Sequence, residues 1–427
     1  MSQVQAINPS RGPIDASVTV PGSKSITIRA MACAAMAEGR SHVYGALVAE
    51  DTEAMARVLE GFGVGVVDAN DPWAIDGLGR HLQAPTQSIN VGESGLAARI
   101  AMVLATLADG GDTTIEGHGR LPQRPIRGLV DALVAQGVSI TTDNGFLPVT
   151  VGGQSGLWGD AIEVDCSASS QFATAMLLGA PMSSRPANIK LSGLIGSSGY
   201  LDVTVEVMES FGAIVEPTIT GFDVAANGYQ ATDYLVEPDA SAAVYPMIAA
   251  AITRGRVELA GLRSTSKQPD VRIAKVLEQM GCQVHDGETG LVVDAHDTEL
   301  QAIEVDLSSS PDGAVALAIA CLFATGTSTL TGLFSLRHKE SDRLEAVSTE
   351  IRRRGGQIEV IGDSLRISPS SLDGGTIEPH GDHRVAMSLA LIGLVTPGIS
   401  IAHPEVVNKT WPGFWQWLSE LDSQQNS

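Results

Sequence analysis

A chain of 427 residues, 44% of them hydrophobic, is too long for one ordinary domain and has enough apolar residues to fill two or three cores. Only 4% are aromatic, so those cores are aliphatic. The net charge of −22 argues against nucleic acid and anionic membrane surfaces as partners, because their phosphates would be repelled.

The N-terminal segment MSQVQAINPSRGPID has no basic start followed by an apolar run, so a signal peptide is not expected. The first predicted strand, SVTV, runs into a polar turn and then the alanine-rich helix IRAMACAAMAEG. That order returns down the chain. SINV leads to ARIAMVLATLADGG, AIEVD to QFATAMLLGAPM, DYLVE to AAVYPMIAAAITRG, a second AIEVD to AVALAIACLFATG, and GTIE to RVAMSLALIGLV. These helices are apolar nearly all round, which predicts burial beneath the others. None is a long enough unbroken apolar run to span a membrane.

Between them lie second helices that end in glycine before a short strand: VLEGFG, LVAQG, VMESFG, VLEQMG and IRRRG. The glycines fall at Gly63, Gly137, Gly212, Gly281 and Gly355, spaced by 74, 75, 69 and 74 residues. Each sits where a helix finishes and a left-handed conformation is needed. A constant period predicts six repeated units, three per domain, with a boundary near 238. Cys33, Cys166, Cys282 and Cys321 lie far apart among small or apolar neighbours and read as reduced core thiols of a cytoplasmic protein.

The chain contains six lysines, and Lys24, Lys339 and Lys409 fall in segments that also carry Arg, Ser or Gly. Concentrating scarce cations in this way suggests a small anionic ligand. VPGSKSITIR places Gly22, Lys24, Ser25 and Arg29 at a strand-to-helix turn, where free N–H groups and directed donors suit an anion. It is neither a Walker loop nor a dinucleotide fingerprint. A capped helix start with exposed cations would look the same. VGESGLAAR, with Gly95, is a second such turn, and GRLPQRPIR adds Arg124 among several arginines suited to carboxylate or phosphate. DCSASSQF supplies Ser169, Ser170 and Gln171, which simple N-capping would also explain, and GLIGSSGY supplies Ser197 and Tyr200. In the second half, SSSPDGA puts Asp312 at a helix start. SLRHKESDR gathers Lys339, Glu340 and Arg343, PHGDHR carries Arg384, and NKTWP carries Lys409. Carboxylates beside lysines in an anion-binding cleft are candidate acid–base pairs.

Taken together and in this order, PGSKS…R, GRLPQRPI, SSQF, the PD of SSSPDGA, RHKESDR, GDHR and NKTWP resemble the 5-enolpyruvylshikimate-3-phosphate (EPSP) synthase family over essentially the whole chain. The resemblance implies an α/β fold, a two-domain inside-out α/β barrel of the enolpyruvyl transferase type with six βαβαββ units. One domain would be discontinuous, residues 1–20 with 239–427, and the other would span 21–238. The implied reaction transfers the enolpyruvyl group of phosphoenolpyruvate to the 5-hydroxyl of shikimate 3-phosphate and releases phosphate, with no metal or organic cofactor. Lys24, Asp312 and Glu340 would be catalytic. Shikimate 3-phosphate would be held by Lys24, Ser25, Arg29, Ser169, Ser170, Gln171, Ser197, Tyr200, Asp312 and Lys339. Phosphoenolpyruvate would be held by Lys24, Gly95, Arg124, Gln171, Arg343, Arg384 and Lys409. These two small molecules would be the partners of a monomer, with no nucleic acid and no membrane.

The sequence departs from the family pattern at the second loop, where Glu93 and Leu96 replace a neutral amide and a small hydroxyl residue. Bulk beside Gly95 and added negative charge predict reduced sensitivity to glyphosate, which in this family competes with phosphoenolpyruvate. Ser335 likewise replaces an Asn near the substrate hydroxyls. Two other readings compete: a non-catalytic binding paralogue, and the sister transferase acting on UDP-N-acetylglucosamine, whose loop Cys or Asp is missing from EGHGRLPQRPI.

Overall fold

The computed structural model describes residues 4–68, 71–154, 156–157 and 159–421. Twelve α-helices run through them: α1 Lys24–Met36, α2 Glu50–Gly61, α3 Gly95–Leu107, α4 Arg127–Ala135, α5 Gln171–Gly179, α6 Gly199–Ser210, α7 Ala240–Thr253, α8 Arg272–Gln279, α9 Ala314–Cys321, α10 Arg343–Arg353, α11 His383–Ala390 and α12 Phe414–Glu420. The chain divides into a split unit, Met1–Pro21 with Pro238–Ser427, and an inserted unit, Gly22–Glu237.

Hydropathy decides which helices lie inside. All thirteen residues of α3 are buried, as are all eight of α9 and of α11. In α1 every residue from Ile26 to Met36 is buried. Alanine-rich faces let such helices approach closely, and α3 packs on α5 just as α9 packs on α11. The second helix of each repeat is one-sided instead. In α8, Ile273, Ala274, Val276 and Leu277 are buried while Arg272 and Lys275 are exposed, the spacing of a 3.6-residue turn. Each unit has its own apolar cluster.

Three sheets clothe the helices of each unit. In the sheet of Asp160–Asp165, Ala187–Ser192, Gly221–Val224 and Val215–Pro217, the first pair is parallel and the rest antiparallel. The same order recurs in four of the other sheets, while the remaining one has three strands, with Gly375–Ile377 parallel and Val4–Ala6 antiparallel to Ile399–Ala402. Helices inside and sheets outside make an inside-out α/β arrangement. The recurring glycines behave as their spacing predicts: φ is +82° at Gly63, +84° at Gly137 and Gly212, +109° at Gly281 and +82° at Gly355.

Two strands do not join the helices they precede in sequence. Asp15–Val18 pairs in parallel with Arg256–Ala260 of the split unit, although α1 belongs to the inserted unit. Asp233–Leu235 pairs with Ala37–Tyr44 of the inserted unit, although α7 belongs to the split one. A strand's partner is a long-range choice, and neither segment's own pattern records it.

Candidate active site

In the inserted unit, the turn before α1 is set by close backbone approach. A Cβ on Gly22 would run into the carbonyl oxygen of Gly45, so packing alone requires glycine here. Lys24, the first residue of α1, forms an ion pair with Asp51 of α2 at 2.8 Å, with only 16% and 9% of the two side chains exposed. One turn on, Arg29 is buried and its donors are directed inward. Nε donates to Thr204 at 2.8 Å, Nη1 to the Ser25 carbonyl at 2.8 Å, and Nη2 to Thr174 at 3.2 Å and to the Tyr200 carbonyl at 3.4 Å. The guanidinium lies 5.8 Å from the Tyr200 ring centre. Burial lowers its pKa to about 10, which leaves it charged at neutral pH. Ser170 is buried and its hydroxyl donates to the Ser197 carbonyl at 3.5 Å. Ser197 has φ +60°, and the Ser169 hydroxyl accepts from the Gln171 amide at 3.2 Å. Arg29, Ser170, Ser197 and Tyr200 are thus gathered where α1, α5 and α6 meet.

The second turn joins the third. Gly95 opens α3, and a Cβ there would come within 2.7 Å of Arg124 Nη1. Beneath them Arg99 donates to the Gly95 carbonyl and to the Pro125 carbonyl, both at 3.1 Å, and so ties the two loops together. Arg99 is buried, which lowers its pKa, and the neighbouring charge of Arg124 lowers it further. Leu96 belongs to the apolar core, so it places no bulk beside Gly95, and the crowding expected of it at the loop is withdrawn. Glu93 leans towards His118, with Oε1 to Nδ1 at 3.9 Å.

In the split unit the predicted residues converge on Asp312. It sits in the one-turn helix Pro311–Gly313 that leads into α9. Its Oδ1 meets Arg343 Nη1 at 2.8 Å and Lys339 Nζ at 3.3 Å, and its Oδ2 lies 3.6 Å from Arg384 Nη2. Arg343 also reaches Glu340 at 2.6 Å and Asp382 at 2.8 Å, and Lys409 Nζ lies 3.7 Å from Glu340. Four cations and three carboxylates therefore form one network. Burial pushes the Asp312 carboxyl up, but Lys339, Arg384 and Arg343 together outweigh it and hold the pKa well below the carboxylate range. The Arg343 pKa is raised for the converse reason: Asp382, Glu340 and Asp312 outweigh burial. A network this rich in cations, three of them on a single carboxylate, is built to receive anionic groups.

A model of the EPSP synthase (3-phosphoshikimate 1-carboxyvinyltransferase) family matches residues 9–418. The chain belongs to the EPSP synthase family. It is 39% identical over 414 residues to the 3-phosphoshikimate 1-carboxyvinyltransferase of Methanoculleus marisnigri, covering 95% of this chain and 97% of that one. Identity to the protein of the same name from Photobacterium profundum is 36%, covering 96% of each. A solved EPSP synthase structure from Acinetobacter baumannii superposes with a TM-score of 0.81 at 28% identity, over 99% of this chain and 98% of that one. The two-domain α/β fold expected of the family is the fold observed.

Asp51 lies outside the quoted motifs, whereas Arg99 and Asp382 lie within VGESGLAAR and GDHR without a role assigned to them there. Asp382 is fully buried, caps α11 by accepting from the Arg384 amide at 2.9 Å, and receives Ser341 at 3.0 Å. Arg99 left a signal, as a lone charge in a helix that is otherwise apolar all round. Among the described residues no cluster of His, Cys, Asp and Glu could hold a metal ion. No helix among them is long and apolar enough to cross a membrane. The four thiols are buried and unpaired, and burial pushes Cys33 and Cys321 up to about 12 and Cys166 and Cys282 up to about 11, so they stay protonated.

Proposed function

We propose that the two clusters carry the reaction of the EPSP synthase family, transfer of the enolpyruvyl group of phosphoenolpyruvate to the 5-hydroxyl of shikimate 3-phosphate. Asp312 takes the proton from the 5-hydroxyl as that oxygen attacks C2 of phosphoenolpyruvate. Glu340 or Lys24 delivers a proton to C3, giving a tetrahedral intermediate. Loss of a C3 proton and cleavage of the bond between C2 and the phosphate oxygen then release phosphate and leave the enol ether.

The observation that carries this reading is the placement of Asp312 among Lys339, Arg343 and Arg384. Those cations make Asp312 a weak base. Once the carboxylate and phosphate of phosphoenolpyruvate engage Arg343, Arg384 and Lys409, their charge is compensated and the proton affinity of Asp312 rises. The base is therefore activated by the substrate it acts beside. On the other cluster, Arg29, Ser25, Ser169, Ser170, Ser197 and Tyr200 hold shikimate 3-phosphate, with Lys339 and Gln171. Lys24, Gly95, Arg124 and Gln171 complete the phosphoenolpyruvate set. The working unit is taken as a monomer. The net charge of −22 supports small molecules rather than nucleic acid as partners, and protonated buried thiols suit the cytoplasm.

Initial-rate measurements on D312N and E340Q test the assignment. A loss of kcat of about 100-fold or more is expected for D312N, with phosphoenolpyruvate still bound. Deuterium from heavy water should enter the C3 position more slowly in E340Q. Wild-type turnover in D312N would remove Asp312 from the role.

A further inference from the structure

Behind Asp312 lies a second carboxylate that the reaction as drawn does not use. Asp270 is in the one-turn helix Pro269–Val271 and only 1% exposed. Its Oδ1 accepts from the backbone N–H of Gly313 at 3.3 Å, the residue next to Asp312. Its Oδ2 accepts a hydrogen bond from the hydroxyl of Ser241 at the start of α7. The turn that carries Asp312 is seated tightly on this support, since a Cβ on Gly313 would lie 2.6 Å from Ile273 of α8. The charged groups facing Asp270 are Arg384 of α11, Asp312 itself and Asp239, the residue that caps α7. Arg272 and Lys275 of α8 are exposed to solvent instead.

We propose that Asp270 is a positioning residue for the general base: it anchors the Pro311–Gly313 turn through the Gly313 amide and holds a negative charge behind Asp312. A buried carboxylate is costly to keep, so its presence beside a cation-crowded base calls for a use. Opposite charge from Lys339, Arg343 and Arg384 weakens Asp312 as a base, and like charge from behind offsets that pull. Burial pushes the Asp270 carboxyl up to about 6 despite the opposing pull of Arg384, with Asp312 raising it further and the Ser241 hydroxyl lowering it. The support is therefore charged above that pH and neutral below it. Turnover should fall as pH drops through that ionisation, because a neutral Asp270 no longer favours proton uptake by Asp312.

This inference rests on Asp312 being the base, and three variants separate the two ideas. D270N keeps the shape, with its oxygen accepting from Gly313 and its amide donating to Ser241, and removes only the charge. A fall in kcat of about 10-fold is expected, with both KM values within about 2-fold of wild type and the acid limb near pH 6 abolished. S241A leaves Asp270 in place but removes a hydrogen bond to its charged form, so the acid limb should move to higher pH. A folded D270N with wild-type kcat and an unchanged acid limb would overturn the proposal. Should D270N fail to fold, an unmoved limb in S241A would overturn it equally. D312N measured alongside tells the failures apart. Turnover retained there sinks the base assignment, whereas turnover lost in D312N but untouched in D270N sinks only the role of Asp270.

Discussion

Lys24 is held by a carboxylate that is itself nearly buried, and this makes its removal more than a loss of charge at a catalytic position. In K24M the Asp51 side chain, 9% exposed, loses its ion-pair partner. Turnover should fall by about 100-fold or more. Stability should fall by about 1–3 kcal/mol, the usual cost of a buried polar group left unmatched. The double variant K24M/D51N should recover the stability without the activity, as read by thermal melting and phosphate release. If K24M and K24M/D51N melted alike, the ion pair would carry no weight in the fold. Gly95 makes a second case. A methyl there must displace Arg124 from 2.7 Å, so G95A should raise the KM for phosphoenolpyruvate by about 10-fold while leaving that for shikimate 3-phosphate within about 2-fold. An unchanged phosphoenolpyruvate KM would mean that Arg124 yields freely or does not touch that substrate.

Glu258 shows how a single hairpin is secured. It lies on the strand Arg256–Ala260 and accepts from the backbone and hydroxyl of Thr289, each at 2.8 Å, and from Arg256 at 3.0 Å. Those donors, the Thr289 amide first, depress its carboxyl from 4.5 to about 2. A depressed folded-state pKa contributes stability that is complete above the unfolded value of 4.5 and is lost as pH falls from there towards 2. The stability gap between wild type and E258Q should therefore be constant above about pH 5.5, one unit over the ordinary glutamate value, and close on acidification. Urea melts at a series of pH values would read this, and a gap that widened in acid would contradict it. The glycine-ended second helices and the all-apolar first helices were legible in the sequence because each is a local pattern: a left-handed residue at one point, or a continuous apolar run. The partners of Asp15–Val18 and Asp233–Leu235 were not legible, because register and pairing depend on residues far away in the chain. The same division holds for the site. Lys24, Asp312 and Arg343 lie in dense polar motifs, whereas Asp51 and Asp270 look like ordinary helix-start carboxylates until burial is known.

At the scale of the whole molecule, each unit closes its own core. The inserted unit is continuous, from Gly22 to Glu237, and its apolar cluster runs from Ile26 to Val236 without borrowing from the split unit. Expressed alone, residues 22–237 should melt cooperatively. A non-cooperative transition with exposed apolar surface would show that the core is incomplete by itself. That fragment should have no turnover, since Asp312, Glu340 and Arg343 lie in the split unit. The full chain, by contrast, should be a competent enolpyruvyl transferase from these residues alone. The most direct measurement is phosphate release by the purified chain with phosphoenolpyruvate and either shikimate 3-phosphate or UDP-N-acetylglucosamine, with the product followed by NMR. Release that requires both phosphoenolpyruvate and shikimate 3-phosphate, with one enol ether formed per phosphate, is the expected result. No release with that pair, or release only with the nucleotide sugar, would contradict it.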